Sequence, residues 1–368
     1  MSLTILGLGT ATPPRSIAQA DAATLAAGFN NAEPGRERTL TAIYRQTRIK
    51  SRGSVLLEEP DLEPFSQSFY PPAGDADDAG PTTAARMDRY REASAPLAIE
   101  AARSALEAGA VAPAAITHLV TCSCTGFANP GLDLDVVAAL GLPVGVQRTH
   151  VGFMGCHGAF NALRVADAFA TADPEATVLV VCVELCSLHF QYGHRPDSVV
   201  ANSIFADGAG AIVGVGPGHT RAAEAGRWRI IGQASRILPA SADQMGWLIG
   251  DHGFEMSLSA QVPDTIRRHI DGVVADGLAR VGLTQADVPT WAVHPGGPRV
   301  LSSVAEALAL VPGSLDASHH VLAAHGNMSS ATILFILERL MAAGAPTPCV
   351  ALAFGPGLTA EMAVFGCS

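Results

Sequence analysis

Positive charge is scarce in this chain. Its 368 residues carry 23 Lys and Arg against 34 Asp and Glu, a formal net charge of −11. Such a surface repels a polyanion, which excludes nucleic-acid binding as a main role. An anionic ligand here needs a local basic patch. Charged residues make up 15% and aromatic residues 5%, against 48% hydrophobic. That balance describes a well-filled α/β core with a modest surface, partly hidden in an oligomer. No apolar run is long enough to cross a bilayer, so no membrane span is expected. The leading Met1-Ser2-Leu3-Thr4 has no basic lead-in and no signal-type apolar core; it reads as a first strand. Cysteine pairing is missing too. Seven cysteines, an odd number without framework spacing, read as reduced thiols in a cytoplasmic protein. Cys122-x-Cys124 lacks the second cluster of a zinc site, and the histidines are scattered apart from His319, His320 and His325. No metal is expected.

What is present is a series of apolar strands ending in small residues. The first, over 3–9, ends in Gly7-Leu8-Gly9-Thr10-Ala11-Thr12. The third glycine of a dinucleotide loop is replaced by Thr12, so nicotinamide binding is rejected. Residues 36–52 hold six Arg and Lys, the densest basic segment. They read as a solvated helix face or as a phosphate-facing patch. Residues 56–84, rich in Pro, Gly and Asp, read as a partly mobile surface excursion. A stripe of Met87, Tyr90, Leu97, Ala101 and Ala105 predicts helix over 85–110, kinked or broken at Pro96. Strands are expected near 116–122, 176–182 and 207–213, with helices near 132–140 and 156–171. From about 220 the alternation restarts: strands near 228–237, 290–294 and 348–354, helices near 260–281, 298–309 and 327–342. Two successive sets imply a duplicated α/β architecture.

Three segments carry chemistry. In Met154-Gly155-Cys156-His157-Gly158 a cysteine lies between glycines at the start of a helix. A thiol there meets unpaired N–H groups and the positive helix end, which favour a thiolate nucleophile. A lone cysteine is more often a buried structural one, so the other two segments decide. Trp291-Ala292-Val293-His294 is an apolar strand ending in a histidine. His325-Gly326-Asn327-Met328-Ser329 opens a helix with an asparagine. Strand ends and helix starts are where α/β sheets present functional groups.

With His294-Pro-Gly-Gly-Pro298, Gly326-Asn327-Met-Ser-Ser330 and Phe354-Gly-Pro-Gly-Leu-Thr359 in order after Cys156, the chain resembles the type III polyketide synthases. These are the chalcone synthase-like group of the thiolase superfamily, and the likeness is to bacterial members. The resemblance implies a five-layered αβαβα fold of two duplicated halves, residues 1–220 bearing the cysteine and 221–368 bearing His and Asn. It implies a homodimer that uses acyl-CoA and malonyl-CoA without a cofactor, with Cys156, His294 and Asn327 catalytic. His294 as imidazolium would hold Cys156 as thiolate, and His294 with Asn327 would stabilise the enolate formed by decarboxylation. By the same matching, Phe205 and Met256 guard the passage between CoA tunnel and cavity. Trp247, Cys124 and Ser329 line the cavity, His157 points away, and Arg45, Arg48 and Arg299 are the nearest candidates for CoA phosphates. The runner-up is a ketoacyl-ACP synthase III-like enzyme making one condensation. An inactive scaffold on the same fold is the third reading. An apolar acyl starter, giving a pyrone or resorcinol-type product, is expected.

Overall fold

In the computed structural model, which describes residues 3–31, 34–58, 66–75 and 77–367, the chain forms thirteen strands and ten α-helices. The strands are β1 (Thr4–Ala11), β2 (Ser16–Ala18), β3 (Ser51–Gly53), β4 (His118–Ser123), β5 (Gln147–Gly152), β6 (Thr177–Leu185), β7 (Asp207–Val215), β8 (Trp228–Ile237), β9 (Met245–Gly250), β10 (Gly253–Leu258), β11 (Thr290–Val293), β12 (Cys349–Gly355) and β13 (Thr359–Cys367). The helices are α1 (Gln19–Phe29), α2 (Pro34–Gln46), α3 (Thr83–Ala108), α4 (Leu132–Leu140), α5 (Gly158–Ala172), α6 (Pro196–Ile204), α7 (Val262–Ala279), α8 (Pro298–Ala307), α9 (Asp316–His325) and α10 (Thr332–Ala342).

Nine strands form one sheet in the order β11-β12-β13-β8-β1-β7-β6-β4-β5. Its two parts join at the register pair Thr4 with Arg229, beside which Ile230 N–H donates to the Leu3 carbonyl at 3.1 Å. Each part repeats one pattern. In the first, β1 pairs antiparallel with β7, β7 antiparallel with β6, and β6 parallel with β4. In the second, β8, β13, β12 and β11 repeat that order and those senses. The duplication expected from alternating elements is therefore a repeat of strand order.

Period-two burial sorts the side chains into layers. On β6, Val178, Val180 and Cys182 face a central core with Phe160 and Leu163 of α5. Their neighbours Leu179, Val181 and Val183 face α3 instead. On β12, Cys349, Ala351 and Ala353 join the central core, while Val350, Leu352 and Phe354 face α7 and α8. The order is α3, sheet, α5 with α10, sheet, α7 with α8: five layers. Strands buried on both faces read as continuous apolar runs. The glycines after the first strand serve this packing, since a Cβ on Gly7 or Gly9 would lie 2.3 Å from α3 backbone atoms.

Three expectations change. Helix α3 runs unbroken through Pro96, which is exposed while Leu97, Ala101 and Ala105 hold the buried face. The 56–84 segment sends Tyr70, 3% exposed, into the core. Residues 59–65 and 76 of that segment lie outside the described residues. The β9–β10 hairpin stands apart from the main sheet and had no counterpart in the sequence reading.

Candidate active site

Cys156 sits in a 3₁₀ turn, Gly155–His157, immediately before α5 rather than in its first turn. Gly155 has φ +72°, and a Cβ there would lie 2.4 Å from Pro356 Cδ at the end of β12. A Cβ on Gly158 would lie 2.7 Å from Cys122 Sγ on β4. The two glycines therefore let the turn wedge between the two halves of the molecule. His157 turns away as expected: its Nδ1 hydrogen-bonds Asn161 at 2.8 Å and its ring packs against Gly355.

Asn327 follows Gly326, which closes α9 at φ +74°. Its N–H donates to the Ile204 carbonyl at 2.9 Å, and its carbonyl accepts from Ala206 N–H at 2.9 Å. These bonds tie it in a parallel bridge to Phe205. The side-chain Oδ1 accepts from Ser329 N–H at 2.9 Å. The amide is thereby oriented with Nδ2 towards Cys156 Sγ, 3.9 Å away. His294 immediately follows β11, and its N–H donates to the Leu352 carbonyl of β12 at 2.8 Å. It is 1% exposed, and neither ring nitrogen has a hydrogen-bond partner among the described residues. The structure thus joins Cys156 and Asn327 directly. It sets His294 one strand along from the β12 end that abuts the cysteine turn.

Burial acts against the expected imidazolium–thiolate pair. Burial pushes the Cys156 thiol up to about 11, although hydrogen bonds from Ser329 and Asn327 pull the other way. Burial first, and the neighbouring His157 second, bring His294 down to about 3. A dry site disfavours both charges, which favours thiol and neutral imidazole over the ion pair.

One apolar cavity is lined by Cys156, Cys124, Phe205, Trp247, Met256 and Ser329, which brings all the expected lining residues together. Trp247 and Met256 face each other in the β9–β10 register. The indole N–H donates to the Cys124 carbonyl at 2.8 Å. The same cavity is also lined by Ile17, Leu25, Phe29, Leu57 and Phe190, of which Leu25 and Phe29 lie on α1.

Two residues that sequence reasoning gave no role support this wall: Glu184 from behind it, and His189 as part of it. Glu184, fully buried, accepts from Cys124 N–H at 3.0 Å, Thr125 hydroxyl at 2.7 Å and Ser330 hydroxyl at 2.5 Å. Burial raises its carboxyl. The Cys124 thiol touches Glu184 at 3.3 Å and Ser329 Oγ at 3.2 Å, and burial holds it well above the usual thiol range. His189 donates from Nε2 to the Thr125 carbonyl at 2.7 Å and accepts Phe254 N–H at Nδ1, 3.0 Å away. Its ring stacks on Phe254 at 4.2 Å, and burial lowers it to about 3. The sequence signal for Glu184 was a single charge inside the apolar run of β6.

Arg45, Arg48 and Arg299 stay outside the cavity. Arg45 ends α2, Arg48 follows at φ +61°, and Arg299 lies in the first turn of α8. All three are exposed, and none makes an ion pair among the described residues.

Comparison with known proteins gives this geometry a family. Residues 2–217 match the model for chalcone and stilbene synthases, N-terminal domain, and residues 229–367 match that for the C-terminal domain. The chain is 33% identical over 366 residues to the alpha-pyrone synthesis polyketide synthase-like Pks18 of Mycobacterium tuberculosis, covering 98% of this chain and 90% of that protein. It is 35% identical to the 1,3,6,8-tetrahydroxynaphthalene synthase of Streptomyces peucetius subsp. caesius, covering 97% and 91%. Among solved structures, PKS-I of the brown alga Ectocarpus siliculosus superposes with a TM-score of 0.89 at 30% identity, covering 100% and 99%. The fungal type III polyketide synthase ORAS gives 0.86 at 29% identity over the whole of both chains. The fold is thiolase-like, and the ketoacyl-ACP synthase III and scaffold readings are set aside. The chain belongs to the chalcone and stilbene synthase family and is a type III polyketide synthase, an acyltransferase-type condensing enzyme.

Proposed function

We propose that Cys156 carries the growing acyl chain and that Asn327 and His294 stabilise the enolate of malonyl-CoA. The observation that carries this reading is the oriented carboxamide of Asn327, 3.9 Å from the Cys156 sulfur at the cavity wall. In loading, the Cys156 proton passes to neutral His294 as the sulfur attacks the acyl-CoA carbonyl. The C–S bond to CoA breaks, and CoA leaves with that proton. In extension, the bond between the malonyl carboxylate and its α-carbon breaks and CO₂ departs. The electron pair becomes an enolate at the thioester oxygen. A neutral imidazole still has one N–H to donate, and Asn327 Nδ2 supplies the second donor. The enolate carbon then attacks the cysteine-bound acyl carbon and releases Cys156 for the lengthened chain. No general base is needed at the α-carbon.

Phe205 and Met256 form the aperture; Trp247, Cys124 and Ser329 shape the cavity. The apolar lining by Ile17, Leu25, Phe29, Leu57 and Phe190 supports an apolar acyl starter, cyclised to a pyrone or resorcinol-type product. Arg45, Arg48 and Arg299 are exposed cations with no ion pair among the described residues of an acidic protein, which supports contacts with CoA phosphates. Strand β5 ends the sheet beside exposed Phe127 and Met154, which supports a homodimer. Seven unpaired cysteines support a reducing, cytoplasmic setting, and no described helix is long and apolar enough to cross a membrane. The family-model boundaries support a division into halves at 1–220 and 221–368. The test is mass spectrometry of products from malonyl-CoA with a panel of acyl-CoAs. Products extended two or more times are expected from the wild type and none from Cys156→Ala.

A further inference from the structure

A guanidinium is buried behind the aperture. Arg52, on β3, is 9% exposed. It makes no ion pair among the described residues; backbone carbonyls hold it instead. Its Nη1 donates to the Asn202 carbonyl at 2.8 Å and to the Phe205 carbonyl at 2.7 Å. Both belong to the C-terminal end of α6, where carbonyls lack helical partners and a cation complements the dipole. The guanidinium carbon lies 5.4 Å over the Tyr44 ring, and the Tyr44 hydroxyl donates to the same Asn202 carbonyl at 3.3 Å. The nearby Asp207 carboxylate is occupied by Ser187 N–H, Ser187 hydroxyl and Val55 N–H.

The stem of Arg52 meets the other half of the site. Gly326 sits so close that a Cβ there would lie 3.1 Å from Arg52 Cγ, 3.1 Å from the Ile204 carbonyl and 3.1 Å from Ala206 Cβ. Just upstream, Lys50 N–H donates to the Ala323 carbonyl of α9 at 2.7 Å. The strand carrying Arg52 is thus packed between the Phe205 segment and the Gly326–Asn327 turn, which are themselves joined by the Asn327–Phe205 bridge. Arg52 lines the same cavity as Cys156, but the partners of its guanidinium, Asn202, Phe205 and Tyr44, lie on α2 and at the end of α6 and not on the cysteine turn.

We propose that Arg52 is a positioning residue that locks the Phe205 aperture and the Asn327 carboxamide into one rigid unit. This rests on the reading of Asn327 as a donor in decarboxylation. Removing the guanidinium frees two carbonyls and the α6 end, so Phe205 and Asn327 shift together. The cysteine turn, built on Pro356 and Cys122 instead, keeps its place. A displacement of about 1 Å at such a donor costs on the order of 10²-fold in rate.

The experiment compares Arg52→Met and Arg52→Lys with the wild type in two rates: malonyl-CoA decarboxylation, and alkylation of Cys156 by iodoacetamide. Far-UV circular dichroism and a thermal midpoint establish folding. The expected result in Arg52→Met is a decarboxylation rate roughly 10–100-fold lower, with alkylation within about threefold of wild type. Arg52→Lys, which keeps a cation able to reach a carbonyl, recovers part of the loss. A fall of both rates in proportion overturns the proposal, as does an unchanged decarboxylation rate. Failure of both variants to fold also overturns it, making Arg52 a folding determinant. The wild type separates this from the functional reading: a wild-type protein that is alkylated but never decarboxylates malonyl-CoA removes that reading first.

Discussion

Asn327 is fixed from behind before any substrate arrives. Its oxygen is anchored by Ser329 N–H and its backbone by Ile204 and Ala206. A donor that needs no reorganisation is worth most as charge develops, and removing one such donor costs about 10²–10³-fold. Asn327→Ala is therefore expected to lower malonyl-CoA decarboxylation by that order. Alkylation of Cys156 should stay within a few-fold, and equal losses in both assays would contradict the assignment. Cys156 itself makes a second prediction. With its thiol pushed up to about 11, the iodoacetamide rate should climb steadily from pH 6.5 to 9. A plateau across that range would restore the imidazolium–thiolate pair. The three positions were legible because each lies in a turn beside the end of a strand or helix, although Asn327 follows the end of α9 and does not open a helix as expected. Their charge states were not, because desolvation is set by walls from distant parts of the chain. Ser329 and Asn327 sit 173 and 171 positions after Cys156 (329 − 156; 327 − 156), and no local window contains that environment.

At the scale of elements, the cavity's far wall is the β9–β10 hairpin. Trp247 and Met256 face each other there, and the Trp247 ring meets Phe254 edge-on at 5.8 Å and His189 at 5.5 Å. The long helices and doubly buried strands were readable from periodicity and length. The hairpin was not: it pairs only with itself, leaves Leu248 and Ile249 exposed, and so lacks clean alternation. Tyr70 was hidden for a related reason. It lies in a polar segment, yet it is held by Arg86 Nη1 at 3.1 Å and donates to the Ser187 carbonyl at 3.0 Å. Trp247→Ala should open the cavity beside Cys124. Because Trp247 is only half-buried, the stability cost should fall near the low end of the range for large-to-small aromatic changes, about 3 kcal/mol. The product mass spectrum should move to bulkier starters or an additional extension. An unchanged product set with the same thermal loss would leave Trp247 as packing alone.

For the whole molecule, the two halves repeat one strand order, and His189 and His294 are both buried within the fold. His294 and His189 are each brought down from 6.5 to about 3 by burial. The folded chain keeps both neutral, while the unfolded chain protonates them below about 6.5. Each therefore removes stability as pH falls from 6.5 towards 3 and adds nothing above 7. Asp207, raised to about 6 by burial, acts in the opposite sense. The folded chain holds its proton between 3.8 and about 6 while the unfolded chain does not, so it offsets one histidine over that window. His118, His150, His157, His319 and His325 are lowered too, while Glu184, Asp167 and Glu338 are raised in the same direction as Asp207, so the effect of His294 is read from its own substitution rather than from a net sum. One proton of difference corresponds to a slope of about 1.4 kcal/mol per pH unit. Urea unfolding of His294→Gln, measured between pH 6 and 4.5, should therefore show a slope lower than wild type by about that amount. Identical slopes would mean that His294 takes up its proton in the folded state, and the neutral imidazole assigned to enolate stabilisation would be lost with it.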